Sequence, residues 1–454
     1  MLDSEHVGVL FLVLLILAVV GATAIFVARR EKRAPADDIG VMWLVVFSFY
    51  AALPPLAWLL QGGMYSVINL YRLYLAQPSV DEVVHLLKIA FACVGGFAGV
   101  YLVLRRHLPR GIATKQPYIS TPKMTGAVTV VLVFQTIMFL LAMGGFIRTP
   151  ESYYDSYIVI RELPLVARQA LKIGGAISSM ALLVFLVAAL QRWPHQRRFL
   201  IFYLVIVLSS FDPEGSRLVV ATGLLSLGIA WHILVRQLSI RWWLTVGTIG
   251  LVVFLALGIV RTVESIDEFD PTASGGIGAG EFDALWANSV ELLQEREYGR
   301  LEVPFSVRFG EFWAFVPSQL LPFQKLSADY WFLETFYPDF HEAGGGWAFG
   351  IISQAVIGDG VIEAFIRGAI LGALAVWAMK WYRSPTSTWW RLPLYLYWLV
   401  FSFQSIRDTA FRQIGDTMQS AIPAILLIAL LGELLDIRGR VSHHSNTACQ
   451  KFST

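Results

Sequence analysis

The chain has 454 residues, of which 56% are hydrophobic and 15% are charged, and its formal net charge is +2. Soluble domains carry about a quarter charged residues, so this composition excludes an ordinary soluble protein, and the sequence shows no basic stripe that would bind nucleic acid. Apolar runs of about 20 residues recur along the chain, and such runs are long enough to cross a bilayer as helices. The sequence therefore predicts an all-α polytopic membrane protein.

About eleven transmembrane helices are predicted along the chain. Each is a predominantly apolar run bounded by charged or turn-forming residues. The predicted spans are about 7–27, 39–60, 84–104, 124–143, 171–190, 199–211, 218–235, 243–260, 361–381, 392–403 and 421–435.

Basic residues follow every second predicted span. The clusters lie within 29–33, 105–123, 192–198, 236–241, 380–391 and 438–440. Because Lys and Arg are enriched in cytoplasmic loops, these clusters are predicted to be cytoplasmic. The N-terminus is then expected outside the cytoplasm and the C-terminus inside.

Residues 261–346 form the long polar stretch of the sequence, and they separate the eight predicted spans of residues 1–260 from the last three. The stretch is rich in aromatic residues, which a disordered linker would not be. We therefore predict one large, helical, extracytoplasmic loop, called the lid below. Residues 347–440 are predicted to hold a short re-entrant or interfacial helix and spans nine to eleven, and residues 441–454 a disordered cytoplasmic tail.

Arg217 lies in a short loop at membrane depth on the predicted outer face. It stands beside Asp212 and Glu214. Two interpretations are open: an interfacial arginine that pairs with an acid or with lipid headgroups, or a fixed cation for an anionic substrate.

Four more arginines, Arg261, Arg308, Arg407 and Arg412, are predicted to lie at the same face. Taken singly, each is typical of a loop salt bridge. Guanidinium groups bind phosphate oxygens in a bidentate manner. Together the arginines therefore favour binding of a polyanionic lipid head such as a pyrophosphate.

His341 and Glu342 precede the glycine run 344–346 and are candidates for a general base. The alternative interpretation is a surface pair in a turn. The sequence has no phosphate-binding Walker loop, no Asp-x-Asp pair and no zinc-binding helix motif. We therefore expect neither a cofactor nor a metal, and a substrate that is already activated.

Three groups of residues give the chain a resemblance to the Wzy-type O-antigen and capsule repeat-unit polymerases, and more distantly to the O-antigen ligases. They are Gly215-Ser216-Arg217 at the start of a span, the segment 315–322 late in the lid, and the glycine run 344–346 followed by 358–360 and a span with Gly368 and Gly372. The sequence departs from the pattern at Gln354, where many of these polymerases have a glutamate.

The resemblance implies a metal-independent membrane glycosyltransferase of GT-C-like architecture in the bacterial inner membrane. Its substrates would be undecaprenyl-pyrophosphate-linked oligosaccharides, polymerised on the periplasmic face for surface polysaccharide or lipopolysaccharide. The five arginines would bind the pyrophosphate, and His341 or Glu342 would be catalytic. The expected partners are the lipid-linked oligosaccharide, membrane lipid and a chain-length regulator protein, and no nucleic acid.

Two other functions stay open at this point. An O-antigen ligase would use the same chemistry with a lipid A core as the acceptor. A transporter or flippase for the lipid-linked oligosaccharide would show inverted repeats and charges in the middle of spans. The sequence shows no such repeat, and its charges lie at span ends.

Overall fold

The computed structural model describes residues 4–32, 34–60, 77–108, 117–144, 163–209, 218–248, 281–313, 316, 320–322, 327–342, 348–384, 388–408 and 411–451. These residues form helices, turns and short connections, and no β-strand occurs among them. The helices, numbered along the chain, are α1 (Ser4–Glu31), α2 (Ile39–Leu60), α3 (Val80–Arg105), α4 (Thr121–Met143), α5 (Leu165–Arg192), α6 (Arg197–Ser209), α7 (Leu218–Leu234), α8 (Glu281–Glu297), α9 (Phe305–Arg308), α10 (Ala328–Phe336), α11 (Pro338–Glu342), α12 (Ile351–Ile357), α13 (Val361–Arg383), α14 (Arg391–Val400), α15 (Gln404–Arg407), α16 (Arg412–Asp416) and α17 (Ile422–Lys451). A further helical stretch covers 240–248.

Within the described residues, 7 helices are long and apolar enough to cross a membrane: α1 to α5, α13, and the run from Arg412 to Ile437. The fold is therefore that of a helical, multi-pass membrane protein. Three of the other predicted spans coincide with shorter helices, namely α6, α7 and α14 with 13, 17 and 10 residues. The span at 243–260 lies mostly outside the described residues, so the count of eleven stays a prediction.

The chain divides into two compact units. The first comprises Met1–Ile112, Gln237–Arg383 and Leu399–Gly415, and the second comprises Ala113–Arg236, Ser384–Trp398 and Asp416–Thr454.

The core of the first unit is the pair α3 and α13, which contact each other backbone to backbone through glycines. A Cβ added to Gly96 would overlap the carbonyl oxygen of Phe365, and one added to Gly368 would overlap the carbonyl oxygen of Cys93. Small residues at such positions are typical of closely packed membrane helices. We call this contact the glycine seam. The close contact explains why the predicted span of α13 has glycines at Gly368 and Gly372, where a Cβ would overlap the backbone of α3.

At its C-terminal end, α13 meets the ends of α1 and α3 in a set of ion pairs. Arg105 Nη2 lies 3.0 Å from Glu31 Oε1, Arg105 Nη1 lies 2.5 Å from Asp38 Oδ2, and Arg383 Nη1 lies 3.1 Å from Glu31 Oε1. All four side chains are at most 4% exposed, and we call them the buried ion-pair cluster. Arg105 and Arg383, which close two predicted spans, thus lie at one end of this unit, while the membrane side on which that end lies stays a prediction.

The second unit contains α4, α5, α6, α7 and α17. Gln191 Nε2 at the end of α5 donates to the carbonyl of Pro117 at 3.1 Å, so the end of α5 lies beside the start of α4. In α6 and α7, Tyr203 Oη donates to the carbonyl of Gly223 at 2.9 Å. Helix α17 runs to Lys451 and so includes residues that composition predicts to be a disordered tail; no proline or glycine interrupts 441–451.

Candidate active site

Two of the predicted pyrophosphate-binding arginines, Arg217 and Arg261, lie outside the described residues. Arg308, Arg407 and Arg412 are described, and all three belong to the first unit. The candidate site therefore consists of those three and the residues around them.

The short helix α12 forms the buried centre of the site. All seven of its residues are buried, which fits the apolar sequence Ile351–Ile357. Gly350 before it has φ +83°, a conformation that glycine adopts readily because it has no Cβ. A Cβ there would also lie 2.9 Å from Leu285 Cδ2. The predicted short helix is thus observed, while its re-entrant character stays a prediction.

Helix α8 from the predicted lid lies along α12 and makes hydrogen bonds to it and to the residues at its two ends. Asn288 Nδ2 donates to the carbonyl of Ala348 at 2.7 Å, and Ser289 and Ser353 share a hydrogen bond of 2.8 Å. Arg296 Nη1 donates to the carbonyls of Val356 and Gly358 at 2.7 and 2.8 Å. Because the last carbonyls of a helix lack partners within it, Arg296 caps α12.

Arg308 lies at this capped end of α12. Its carbonyl accepts from Gln354 Nε2 at 3.3 Å. Its Nη2 donates to Asp359 Oδ2 at 2.7 Å and lies 3.5 Å from Glu363 Oε2. Arg308 thus joins α9 to the turn between α12 and α13.

Glu363 and Arg367, one helical turn apart on α13, continue this network. Glu363 Oε1 accepts from Arg367 Nε and Nη2 at 2.8 and 2.6 Å, and Arg367 Nη1 forms an ion pair with Glu311. We call the residues Arg308, Glu311, Asp359, Glu363 and Arg367 the open ion-pair cluster. Its inner members are buried, but the side chains of Arg308 and Asp359 are 32% and 66% exposed.

The segments that carry Arg407 and Arg412 lie against the same structure. The backbone N–H of Gly350 donates to the carbonyl of Asp408 at 3.1 Å, so the residue after Arg407 contacts the start of α12. The ring of Phe411, the neighbour of Arg412, lies 5.1 Å from the ring of Phe312. Both arginines have interactions of their own within the protein. The segments of Arg308 and Arg407 thus contact α12 or the residue before it, and the segment of Arg412 contacts the residues that follow Arg308.

His341 lies in α11, where its ring stands edge-on to Tyr330 with ring centroids 5.4 Å apart. Among the described residues, no side-chain hydrogen bond or ion pair joins His341 to the open ion-pair cluster. Helix α8 holds the end of α10, because Tyr337 Oη donates to Glu291 Oε1 at 2.6 Å. The side chain of Glu342 lies outside the described part of the chain.

Of the open ion-pair cluster, the sequence predicts only Arg308 as a site residue. Glu363 and Arg367 are four residues apart at the start of an apolar span, and charges inside spans are costly and therefore informative. That signal was present in the sequence. The ion pair between Arg367 and Glu311 joins residues that are far apart in the chain, so no local sequence pattern predicts it. Within the described ranges, no group of three or more His, Cys, Asp or Glu side chains is placed so that it could hold a metal ion.

Comparison of the chain with models of known protein families, with curated proteins and with solved structures finds no match. The fold and the site define a helical, multi-pass membrane protein with an ionic site at one end of a spanning helix. Its function therefore has to be inferred from the geometry of this site together with the sequence.

Proposed function

We propose that this protein polymerises undecaprenyl-pyrophosphate-linked oligosaccharide repeat units on the periplasmic face of the bacterial inner membrane. The observation that carries the proposal is that Arg308 is partly exposed and that some of its N–H donors have no hydrogen-bond partner in the part of the chain that the structure describes. Its hydrogen bond and its ion pair to carboxylates both use Nη2, and neither Nη1 nor the buried Nε has a hydrogen-bond partner among the described residues.

An arginine with unpartnered N–H donors is suited to bind a phosphate group. Guanidinium carries five donors in a fixed plane, and buried donors without partners are rare in proteins. Asp359 holds one side of the Arg308 guanidinium, and the remaining donors match the oxygens of a pyrophosphate. Arg407 and Arg412 lie on neighbouring segments, which supports a shared anion-binding function.

The position along α13 supports a site on the outer face. Helix α13 has 23 residues, or about 34 Å at 1.5 Å per residue, close to the thickness of a bilayer core. The open ion-pair cluster lies at its first turns and the buried ion-pair cluster at its last. Since the positive-inside rule puts the ends of α1, α3 and α13 in the cytoplasm, the open cluster belongs at the other face.

The proposed reaction needs no nucleotide, because the donor is already activated. The bond between the anomeric carbon and the pyrophosphate oxygen breaks, and its electron pair leaves with the lipid pyrophosphate. A bond forms between that carbon and a hydroxyl oxygen of the next lipid-linked repeat unit, whose proton passes to a base. The arginines neutralise the charge that develops on the leaving group.

The test uses a strain in which this chain is the sole polymerase of a surface glycan, complemented with Arg308→Met. Removing the guanidinium removes the pyrophosphate contact, so we expect long chains to disappear and single capped repeat units to remain on electrophoresis. The matched control is Arg300→Met, since Arg300 lies on the surface and pairs with Glu295 at its own helix end.

Three other outcomes would overturn parts of the proposal. Long chains at wild-type length and equal protein level would remove Arg308 from the site. Polymer stranded on carrier lipid in the deletion strain would identify a ligase instead. Repeat units retained on the cytoplasmic face would identify a flippase.

A further inference from the structure

We propose that Asp359 is the general base that takes the proton from the acceptor hydroxyl, an assignment that rests on the proposed function. The open ion-pair cluster contains three carboxylates, Glu311, Asp359 and Glu363. They differ in how many of their oxygens are already used and in whether a substrate can reach them, and these differences select one of the three.

Glu311 is unsuited to this function. Its side chain is fully buried, and its carboxylate pairs with Arg367. A general base must come within hydrogen-bond distance of the hydroxyl that it deprotonates. A sugar hydroxyl cannot approach Glu311 without first displacing Arg367.

Glu363 is unsuited because both of its oxygens are occupied. Oε1 accepts from two nitrogens of Arg367, and Oε2 accepts from the backbone N–H of Asp359 at 2.9 Å. Its side chain is only 14% exposed, and it packs so closely that a Cβ on Gly358 would overlap its carboxylate. Glu363 is a positioning residue that fixes the turn carrying Asp359.

Asp359 combines a fixed oxygen with a free one. Arg308 Nη2 donates to Oδ2, and Oδ1 has no hydrogen-bond partner among the described residues. The side chain is largely exposed, and it stands in a turn between two glycines, of which Gly360 has φ +60°. Arg308 therefore orients the carboxylate while one oxygen stays open to an acceptor hydroxyl.

Gln354 independently indicates a polar ligand at this place. It is 1% exposed, and its Nε2 is held by the carbonyl of Arg308, but its Oε1 has no partner in the described part of the chain. Buried acceptors without partners are uncommon. An amide cannot serve as a base, so a carboxylate at another position has to take the proton. Asp359 accepts a hydrogen bond from the guanidinium of Arg308, the same residue whose carbonyl accepts from Gln354.

The proton balance of the step is simple. The O–H bond of the acceptor breaks, its proton moves to Asp359 Oδ1, and the hydroxyl oxygen bonds to the anomeric carbon as the lipid pyrophosphate leaves. Positioned general bases contribute about 10²–10⁴-fold to a rate. Asp359→Asn is therefore expected to lower the polymerisation rate by about this factor, while the amide oxygen of the new side chain still accepts from Arg308.

The experiment measures two quantities for each purified variant. Membranes of the deletion strain, in which single lipid-linked repeat units accumulate, supply the substrate for the rate and its pH profile. Undecaprenyl pyrophosphate alone is the binding probe, followed by thermal stabilisation. We expect Asp359→Asn to lose rate and the acid limb of the pH profile but keep stabilisation by the probe, and Arg308→Met to lose both.

The control Asp81→Asn changes an exposed aspartate in the first turn of α3, and it should keep both. Asp359→Glu should restore part of the rate. Asp359→Asn with a rate within about threefold of wild type, far short of the factor expected for a general base, would overturn the assignment, and loss in His341→Gln with Asp359→Asn active would move the base to His341. If wild-type protein itself forms no polymer, the proposed function fails and not merely this assignment.

Discussion

Each end of α13 carries a cluster of arginines and carboxylates, but one cluster is buried and the other is partly exposed to solvent. In the buried ion-pair cluster, two arginines face two carboxylates, and all four side chains are shielded from solvent. In the open ion-pair cluster, two arginines face three carboxylates, and Arg308 and Asp359 are open to solvent. A buried, balanced cluster resists disruption, because breaking it leaves a charge in a dry interior. The open cluster is suited to a ligand because Arg308 is partly exposed and, among the described residues, keeps unused donors.

The largest effect on stability is expected from Arg105→Met. The change leaves Asp38 and Glu31 buried without their main partner, and removing one member of a buried pair costs about 3–5 kcal/mol. The midpoint of unfolding in detergent measures the loss. Arg106→Met at the exposed neighbouring position is the control. Equal midpoints for the two variants would show that the buried ion-pair cluster does not stabilise the protein.

The next largest effect is expected at the glycine seam, which connects the two clusters. Gly96→Ala places a methyl group against the backbone of α13, and overpacking of this kind costs about 1–3 kcal/mol. Gly95→Ala is a closely matched control, since a Cβ at Gly95 meets nothing within 4 Å. Comparing the unfolding midpoints of the two variants isolates the seam. A destabilised Gly95→Ala with an unchanged Gly96→Ala would contradict this packing.

The smallest effect on stability is expected from Arg308→Met, the variant that should abolish polymerisation. Its ion pairs are partly exposed, and such pairs contribute about 0–1 kcal/mol. Unfolding midpoints close to wild type, together with lost polymer, would separate function from stability at this end of α13. A loss of stability as large as that of Arg105→Met would mean that both clusters are structural.

Much of this architecture could be predicted from local sequence. The spans at 7–27, 39–60 and 84–104 lie within α1, α2 and α3 because continuous apolar runs leave few alternatives in a membrane. The runs at 199–211, 218–235 and 392–403 are apolar too, but their helices are shorter. Length therefore separates these three from the spans that the structure supports.

Less of the candidate site than of the fold could be predicted from the sequence. Arg308, Arg407 and Arg412 stand out because basic residues are scarce on the predicted outer face, and their segments do meet. Asp359 is visible in the sequence only as the middle of a glycine turn, because its partner Arg308 is 51 residues away. Long-range pairs of this kind leave no periodic pattern to detect.

The glycine seam also constrains movement. A rotation of α3 or α13 about its own axis would bring larger side chains against the opposite main chain, so the close packing opposes such a rotation. This packing opposes any change in the distance between the buried ion-pair cluster and the turn that bears Asp359. On the proposed function, entry and exit of a bulky glycan would then require movement of other parts of the first unit beside α12, among them α8 and the segment around Asp408.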